Sequence, residues 1–190
     1  MKSKQMVCLL LADITSVAVD AMVNPANASL LAGSGLCGVI HKKAGAELST
    51  ACQQLFNQQR TRPIGSAVAT TAGKLPARHV IHAVSPRWHE HQENPAQPLR
   101  ATYCNILLCA DQLAAHSISI PALATGMHKY PKGFAAQVAL ETLAQELGYC
   151  EQVRSVLLVS SDMETASAYQ AAAAGLGLTS FVLVDLMPKI

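Results

Sequence analysis

At 190 residues and 20.0 kDa the chain has the length of one domain and can bury a real core. It is 51% hydrophobic but only 4% aromatic and 14% charged, which predicts an aliphatic, alanine-rich core of helices packed closely on a Val/Ile/Leu sheet. A net charge of +2 gives no strong field for nucleic acid, and no apolar run reaches membrane-spanning length. The polar start, Met1 to Gln5, leads into nothing like a signal peptide, so the reading is a soluble cytoplasmic protein. The six cysteines (Cys8, Cys37, Cys52, Cys104, Cys109, Cys150) form no C-x-x-C pair and no zinc spacing. They read as reduced thiols, several of them packed as small hydrophobes.

In chain order, β-type runs alternate with helical patterns, which predicts an α/β fold covered on both faces. Strands are expected at Val7–Leu11, Ala21–Val23, Ala67–Thr71, His79–Ala83, Ser117–Pro121, Ser155–Ser160 and Phe181–Val184. Leu36 to Phe56 carries Leu36, Val39, Ile40, Ala44, Leu48, Cys52 and Leu55 at helical spacing, with a break near Gly45. A second helix is expected over Leu99–Ala115. A third runs over Pro131–Leu147, opened by a proline and stopped at Gly148, and a fourth over Glu164–Ala174, ended by Gly175. Ser85 to Pro98, rich in His, Pro, Asn and Gln, reads as a surface loop. His89, Glu90, His91 and Glu93 within it lack a third spaced ligand and read as solvated polar residues, so no metal site is expected.

Gly33-Ser34-Gly35-Leu36-Cys37-Gly38 spells G-x-G-x-x-G, but its context argues against a Rossmann NAD site. Asn24 to Ala32 separates it from the preceding strand, and no acidic residue follows at the distance where a ribose would be bound. Its physics remains useful. Glycines let backbone N–H groups converge, and a helix N-terminus behind them suits a phosphate. A second segment, Ala124-Thr125-Gly126-Met127-His128-Lys129-Tyr130-Pro131, repeats the order of strand, glycine loop and helix after Ser117–Pro121. Two such loops at the carboxyl ends of strands can clamp a diphosphate.

Four blocks in this order resemble the macrodomain family: Ala12-Asp13-Ile14-Thr15, Val23-Asn24-Pro25-Ala26-Asn27, Gly33 through His41, and Ile120-Pro121 through Tyr130-Pro131. Leu75 to Val84 resembles a further family segment, and the likeness spans about Leu9 to Ala174. The resemblance implies a mixed sheet sandwiched between helices, one macrodomain over residues 1–190, with ADP-ribose in a cleft at the strand ends.

It also implies roles. Asp13 would accept from the adenine amino group, with Ile14 beside it, and Asn27 would contact the distal ribose. Gly33, Ser34, Gly35 and Leu36 would form one phosphate loop, and Thr125, Gly126, Met127 and His128 the other. Asn24 reads as a turn residue bracing the first loop. His128 stands where the family often has an aromatic residue over the distal ribose. His41 matches a common family histidine and alone would read as structural. Arg87-Trp88 would anchor the variable loop.

Two departures bear on activity. Cys37 stands where many hydrolytic relatives carry an aspartate that orients water, although some alphavirus members have a cysteine there too. Ser161 stands where many place an aromatic against adenine, a stack worth roughly 1 kcal/mol. The implied activity is hydrolysis at the distal ribose of mono-ADP-ribosylated protein or of O-acetyl-ADP-ribose, with Asn27, Cys37 and His128 as candidate catalytic residues. A non-catalytic reader of ADP-ribose and a slow ADP-ribose 1″-phosphate phosphatase are the alternatives. No metal or organic cofactor is expected, the partners are ADP-ribose or ADP-ribosylated protein, and the chain is expected to be a monomer.

Overall fold

The computed structural model describes residues 5–90, 93–178 and 183–185. The strands are β1 (Met6–Leu11), β2 (Val19–Ala26), β3 (Ala67–Thr71), β4 (Ala77–Val84), β5 (Ser117–Pro121), β6 (Ser155–Ser160) and β7 (Leu183–Asp185). They form one seven-stranded sheet in the order β3-β4-β2-β5-β6-β1-β7. Among the described residues only the β3/β4 pair is antiparallel, so the sheet is mixed, as expected. The helices are α1 (Gly35–Ala44), α2 (Ala46–Gln58), α3 (Ala96–Gln112), α4 (Lys132–Glu146) and α5 (Met163–Gly175).

Strand alternation divides the core in two. Leu9, Leu11, Ala21, Val23 and Ile81 pack with residues of α3, α4 and α5, including Leu99, Tyr103, Ile106, Ala139, Leu143, Ala166 and Tyr169. Their strand neighbours Leu10, Met22 and Val80 turn to the other face, against Ile40, Ala44, Leu48 and Cys52 of α1 and α2. The result is a three-layer sandwich, and the small side chains of α4 and α5 let those helices approach closely. Fully buried Leu9, Ile81, Ile106 and Ile118 each contribute roughly 1.5–3 kcal/mol of transfer free energy.

Several boundaries differ from the sequence reading, for local reasons. The break at Gly45 is present, with φ +85 closing α1 and opening α2. Helix α3 begins at Ala96, inside the segment read as loop, because Pro98 falls in its first turn, where a missing N–H costs nothing. It ends at Gln112 rather than Ala115, and Ala114 takes a left-handed φ of +51. Strand β2 continues past Val23 through Asn24 and Pro25 to Ala26, so Asn24 is a buried strand residue and not a turn residue. Proline is tolerated there because β2 pairs with β5 only at Ala21–Ile118 and Met22–Ser119. On its other side it stays paired with β4 as far as Ala26–Val84. The strand expected at Phe181–Val184 is found at Leu183–Asp185; Phe181 and Val182 lie outside the described residues.

In the middle of the sheet, near the amino end of β2, Asp20 fastens that strand to the start of β5. Its carboxylate accepts from the backbone N–H groups of His116 (2.8 Å) and Ser117 (2.9 Å) and from the Ser117 hydroxyl (3.1 Å), and it meets Arg78 at 2.9 Å. Partial burial works against ionisation, but the bonds from Ser117 and His116 and the Arg78 charge outweigh it and hold the carboxyl below its usual range. The unfolded chain therefore binds the proton first as pH falls. The Asp20 contribution is present above the unfolded carboxyl pKa, about 3.9, and is lost as pH drops through the lower folded value. Asp20→Asn should cost roughly 1.5–3 kcal/mol at pH 7, measured by urea unfolding, and the gap to wild type should narrow below about pH 4. A gap independent of pH would show that the charge plays no part.

Candidate functional site

Topology places the sequence-predicted residues on one rim. The segments after β2, β5, β6 and β1 leave the carboxyl ends of four neighbouring parallel strands, in that spatial order. They carry, respectively, Asn27 and Gly33–Leu36, then Thr125–His128, then Ser161, then Asp13 and Ile14. After Met22 the β2 and β5 ladders part, which opens a cleft between the first two segments. Such a crevice beside diverging strands is the usual ligand position in open α/β sheets.

Loop one is held from below. Asn27 Oδ1 accepts from the Ser29 N–H (3.0 Å) and hydroxyl (2.6 Å), and its Nδ2 donates to the Leu31 carbonyl (2.8 Å). The amide therefore braces the loop and keeps one N–H to offer a ligand. Gly33 passes so close that a Cβ would sit 3.2 Å from Asn27 Nδ2, and Gly35 is left-handed at φ +59. Sequence reasoning passed over Gly38, the third glycine of the motif. A side chain there would run into the Gly33 carbonyl, so its absence lets α1 pack against its own leading loop. Helix α1 has no side-chain cap at Ser34 and no acidic residue in its first turn, leaving its N–H groups free for an anion.

Cys37 faces inward. It is only 6% exposed, with Sγ 3.6 Å from Asn24 Nδ2 and 4.0 Å from the Leu31 carbonyl. Asn24 thus braces loop one as expected, from within the sheet. His41 is also buried, and its ring lies in the core and not at the rim.

Loop two meets loop one across the cleft, where the Ser34 hydroxyl lies 3.1 Å from the sulfur of the well-exposed Met127. Ala124 and Lys129 take φ of +65 and +61, which turns the chain sharply on both sides of Gly126. A Cβ on Gly126 would meet no protein atom. The Thr125 hydroxyl donates to the Ala122 carbonyl (3.1 Å). Helix α4 also starts without a side-chain cap or an acidic first turn, whereas α5 is capped by Asp162.

His128 is half-buried, with Nδ1 3.2 Å from the hydroxyl of buried Ser85 and its carbonyl accepting from the Trp88 N–H (2.9 Å). Desolvation and the nearby Arg87 charge lower its pKa, so the ring is neutral at pH 7. Trp88 packs edge-on against Tyr130 and Phe134, at 5.1 and 5.3 Å, which anchors the variable segment as expected. Ser85 carried no motif signal. His89, Glu90 and Glu93 are exposed, and His91 lies outside the described residues.

At the far end, Ala12 donates to the Ser160 carbonyl (2.8 Å), which sets the Asp13 and Ser161 segments side by side. Asp13 Oδ1 caps a short turn through the Thr15 hydroxyl (2.6 Å) and N–H (2.9 Å), while Oδ2 is uncommitted. The Thr15 hydroxyl bond, against a smaller burial penalty, keeps this carboxyl below its ordinary value and ionised. Ile14 is buried beneath it, and Ser161 is exposed.

The Macro domain family model matches residues 23–139. The chain is 44% identical over 158 residues to a protein of Citrobacter rodentium named O-acetyl-ADP-ribose deacetylase, covering 83% of this chain and 89% of that one. It is 45% identical over 159 residues to a Salmonella typhimurium protein of the same name, covering 83% and 88%. Among solved structures, the Oceanobacillus iheyensis macrodomain with ADP superposes with a TM-score of 0.84 at 35% identity, covering 90% of this chain and 92% of that one. The Trypanosoma brucei macrodomain in complex with ADP-ribose gives 0.76 at 27% identity, covering 88% and 68%. With the match covering more than half of its length, and with relatives above 40% identity, the chain belongs to the macrodomain family.

Proposed function

We propose that this chain binds ADP-ribose in the cleft between the β2 and β5 loops and hydrolyses derivatives carried on its distal ribose. O-acetyl-ADP-ribose is the first substrate and mono-ADP-ribosylated protein the second. The observation that carries the reading is the pair of glycine loops meeting across diverging parallel strands, each leading to a helix without a cap. The names of the curated relatives and the ADP and ADP-ribose in the solved neighbours support it. In this reading the free Asp13 oxygen accepts from the adenine amino group, and the backbone of Gly33–Leu36 and Thr125–Gly126 donates to the diphosphate. Asn27 orients the distal ribose through its spare N–H, and neutral His128 covers it.

Chemistry then needs a water beside the distal ribose. For the ester, water adds to the acetyl carbonyl, acetate departs, and the ribose hydroxyl keeps a proton. For the protein linkage, water attacks C1″, the bond from C1″ to the side chain breaks, and the proton lost by the water passes to the leaving group. A phosphate oxygen held by the loops can take the proton of the attacking water, so positioning and charge stabilisation supply most of the catalysis. The buried Cys37 thiol offers no carboxylate for this purpose, and that favours one second reading, a binding module without turnover. Incubating the protein with O-acetyl-ADP-ribose and with auto-modified protein, and following acetate release and label loss, separates the two.

Calorimetry should show ADP-ribose binding near 1 μM, about −8 kcal/mol, with AMP weaker because it lacks the second phosphate and distal ribose. No heat and no thermal shift at millimolar ligand would end this reading.

Gly126→Glu should abolish binding in a folded protein, because its side chain has open space inside the fold yet occupies the phosphate position with like charge. Asp13→Ala should weaken binding by roughly 1.5–3 kcal/mol. Ordinary affinity in Gly126→Glu, measured the same way, would move the diphosphate elsewhere.

Cys37→Ala should retain most of the hydrolytic rate and Asn27→Ala should lose most of it, since Asn27 both braces loop one and reaches the ribose. A covalent ADP-ribosyl adduct on Cys37 by intact mass, or an inactive yet ligand-binding Cys37→Ala protein, would make the thiol a participant after all.

A further inference from the structure

Behind loop one, on the α1/α2 face of the sheet, lies a cluster that the cleft chemistry does not use. His41 comes from α1, Cys52 from α2 and His82 from β4. Their ligand atoms all lie within 4.8 Å of one another, and the residues are 4%, 0% and 0% exposed. Such convergence is invisible to sequence spacing, since the three residues sit on three elements and His41 and His82 are 41 residues apart.

The geometry has the features of a metal shell. Cys52 Sγ is 3.6 Å from His82 Nε2. The corresponding edge of a tetrahedral zinc site, with Zn–S about 2.3 Å and Zn–N about 2.0 Å, is roughly 3.5 Å. Both ring nitrogens of His41 are buried without a hydrogen-bond partner, although the ring lies beside His82 among buried polar groups. An orphaned, fully buried imidazole is costly and calls for a ligand. His82 is held from its far side, where Nδ1 lies 3.1 Å from the Asn24 amide. Ligating histidines are commonly oriented by such a bond. Turned over, that amide would present Oδ1, which has no partner, to a protonated Nδ1 and leave Nε2 free to bind a cation.

We propose that His41, Cys52 and His82 form a buried, structural binding site for a zinc-type divalent cation. The fourth position is filled by water, once the Thr70 hydroxyl, now 2.9 Å from His82 Nε2 and bonded to the Thr71 carbonyl at 3.0 Å, gives way. Binding replaces the Cys52 S–H bond by an S–Zn bond and releases one proton to solvent, while both imidazoles stay neutral. The ion would tie α1, α2 and β4 together directly behind the loop that α1 carries. It would have no exposed face toward the cleft, so the proposal is independent of the ADP-ribose reading.

The experiment uses the full chain, stripped with chelator and dialysed against zinc, with metal content measured by mass spectrometry. Cobalt serves as a spectroscopic substitute. Wild type should retain one equivalent of zinc, show a thiolate-to-cobalt charge-transfer band, and gain several degrees of Tm on loading. Cys52→Ser and His41→Gln should each lose the band and the Tm gain while binding ADP-ribose as wild type does. If wild type shows no charge-transfer band and no zinc-dependent Tm, the cluster is polar packing around water and the proposal is overturned. Equal zinc retention in the wild type and both variants would overturn it too, by placing the metal elsewhere.

Discussion

The cleft exists because two parallel strands stop pairing. After Ala21–Ile118 and Met22–Ser119, β2 follows β4 and β5 follows β6, and among the described residues no further strand pairing joins the two. The backbone beyond that point must find other partners, which is costly in a buried setting unless loops, helix ends or a ligand provide them. Both diverging strands therefore lead into glycine loops, and both loops lead into helices whose first N–H groups are left uncapped. Pro25 belongs to the same arrangement, since its missing N–H lies on a strand already released from one neighbour.

The layer beneath loop one matters as much as the loop. Asn24 and His82 project from the sheet on the α1/α2 face, with Cys37, His41 and Cys52 against them. These groups are buried and polar, yet none carries a compensating charge. An aspartate at position 37 would be a buried anion, beside the diphosphate in the proposed complex. Desolvation and like charge would both oppose its ionisation. The thiol avoids that cost, fitting between Asn24 and the Leu31 carbonyl, and gives up an acceptor for water. This trade moves the burden of water activation to the substrate phosphates in the proposed mechanism and makes the Asn27 brace more important.

The variable segment, Ser85 to Pro95, works through contacts with loop two. Trp88 seats on Tyr130 and Phe134, the Tyr130 hydroxyl donates to the Pro95 carbonyl (3.0 Å), and Ser85 and Trp88 both bond His128. Loop two is thus clasped from outside by aromatic packing and a few hydrogen bonds, whereas loop one is clasped from inside. The different supports suggest different tolerance to change, with the inner one the less forgiving because its atoms have nowhere to move.

Much of this was legible in the chain alone. Apolar β-type runs and helical spacing located every described strand at least in part and the five described α-helices, and four ordered motifs placed the candidate site residues just beyond strand ends. Those signals are local, written in neighbouring residues. What the sequence could not decide depended on neighbours far along the chain. It could not show that Asn24 is a strand residue inside the sheet, because the pairing that extends β2 past Pro25 comes from β4. Nor could it show that Gly38 is demanded by the Gly33 carbonyl, or that His128 leans on Ser85. The meeting of His41, Cys52 and His82 is the clearest case. Each residue alone reads as ordinary core, and only the packing of α1 and α2 on β4 brings their ligand atoms within reach of one another.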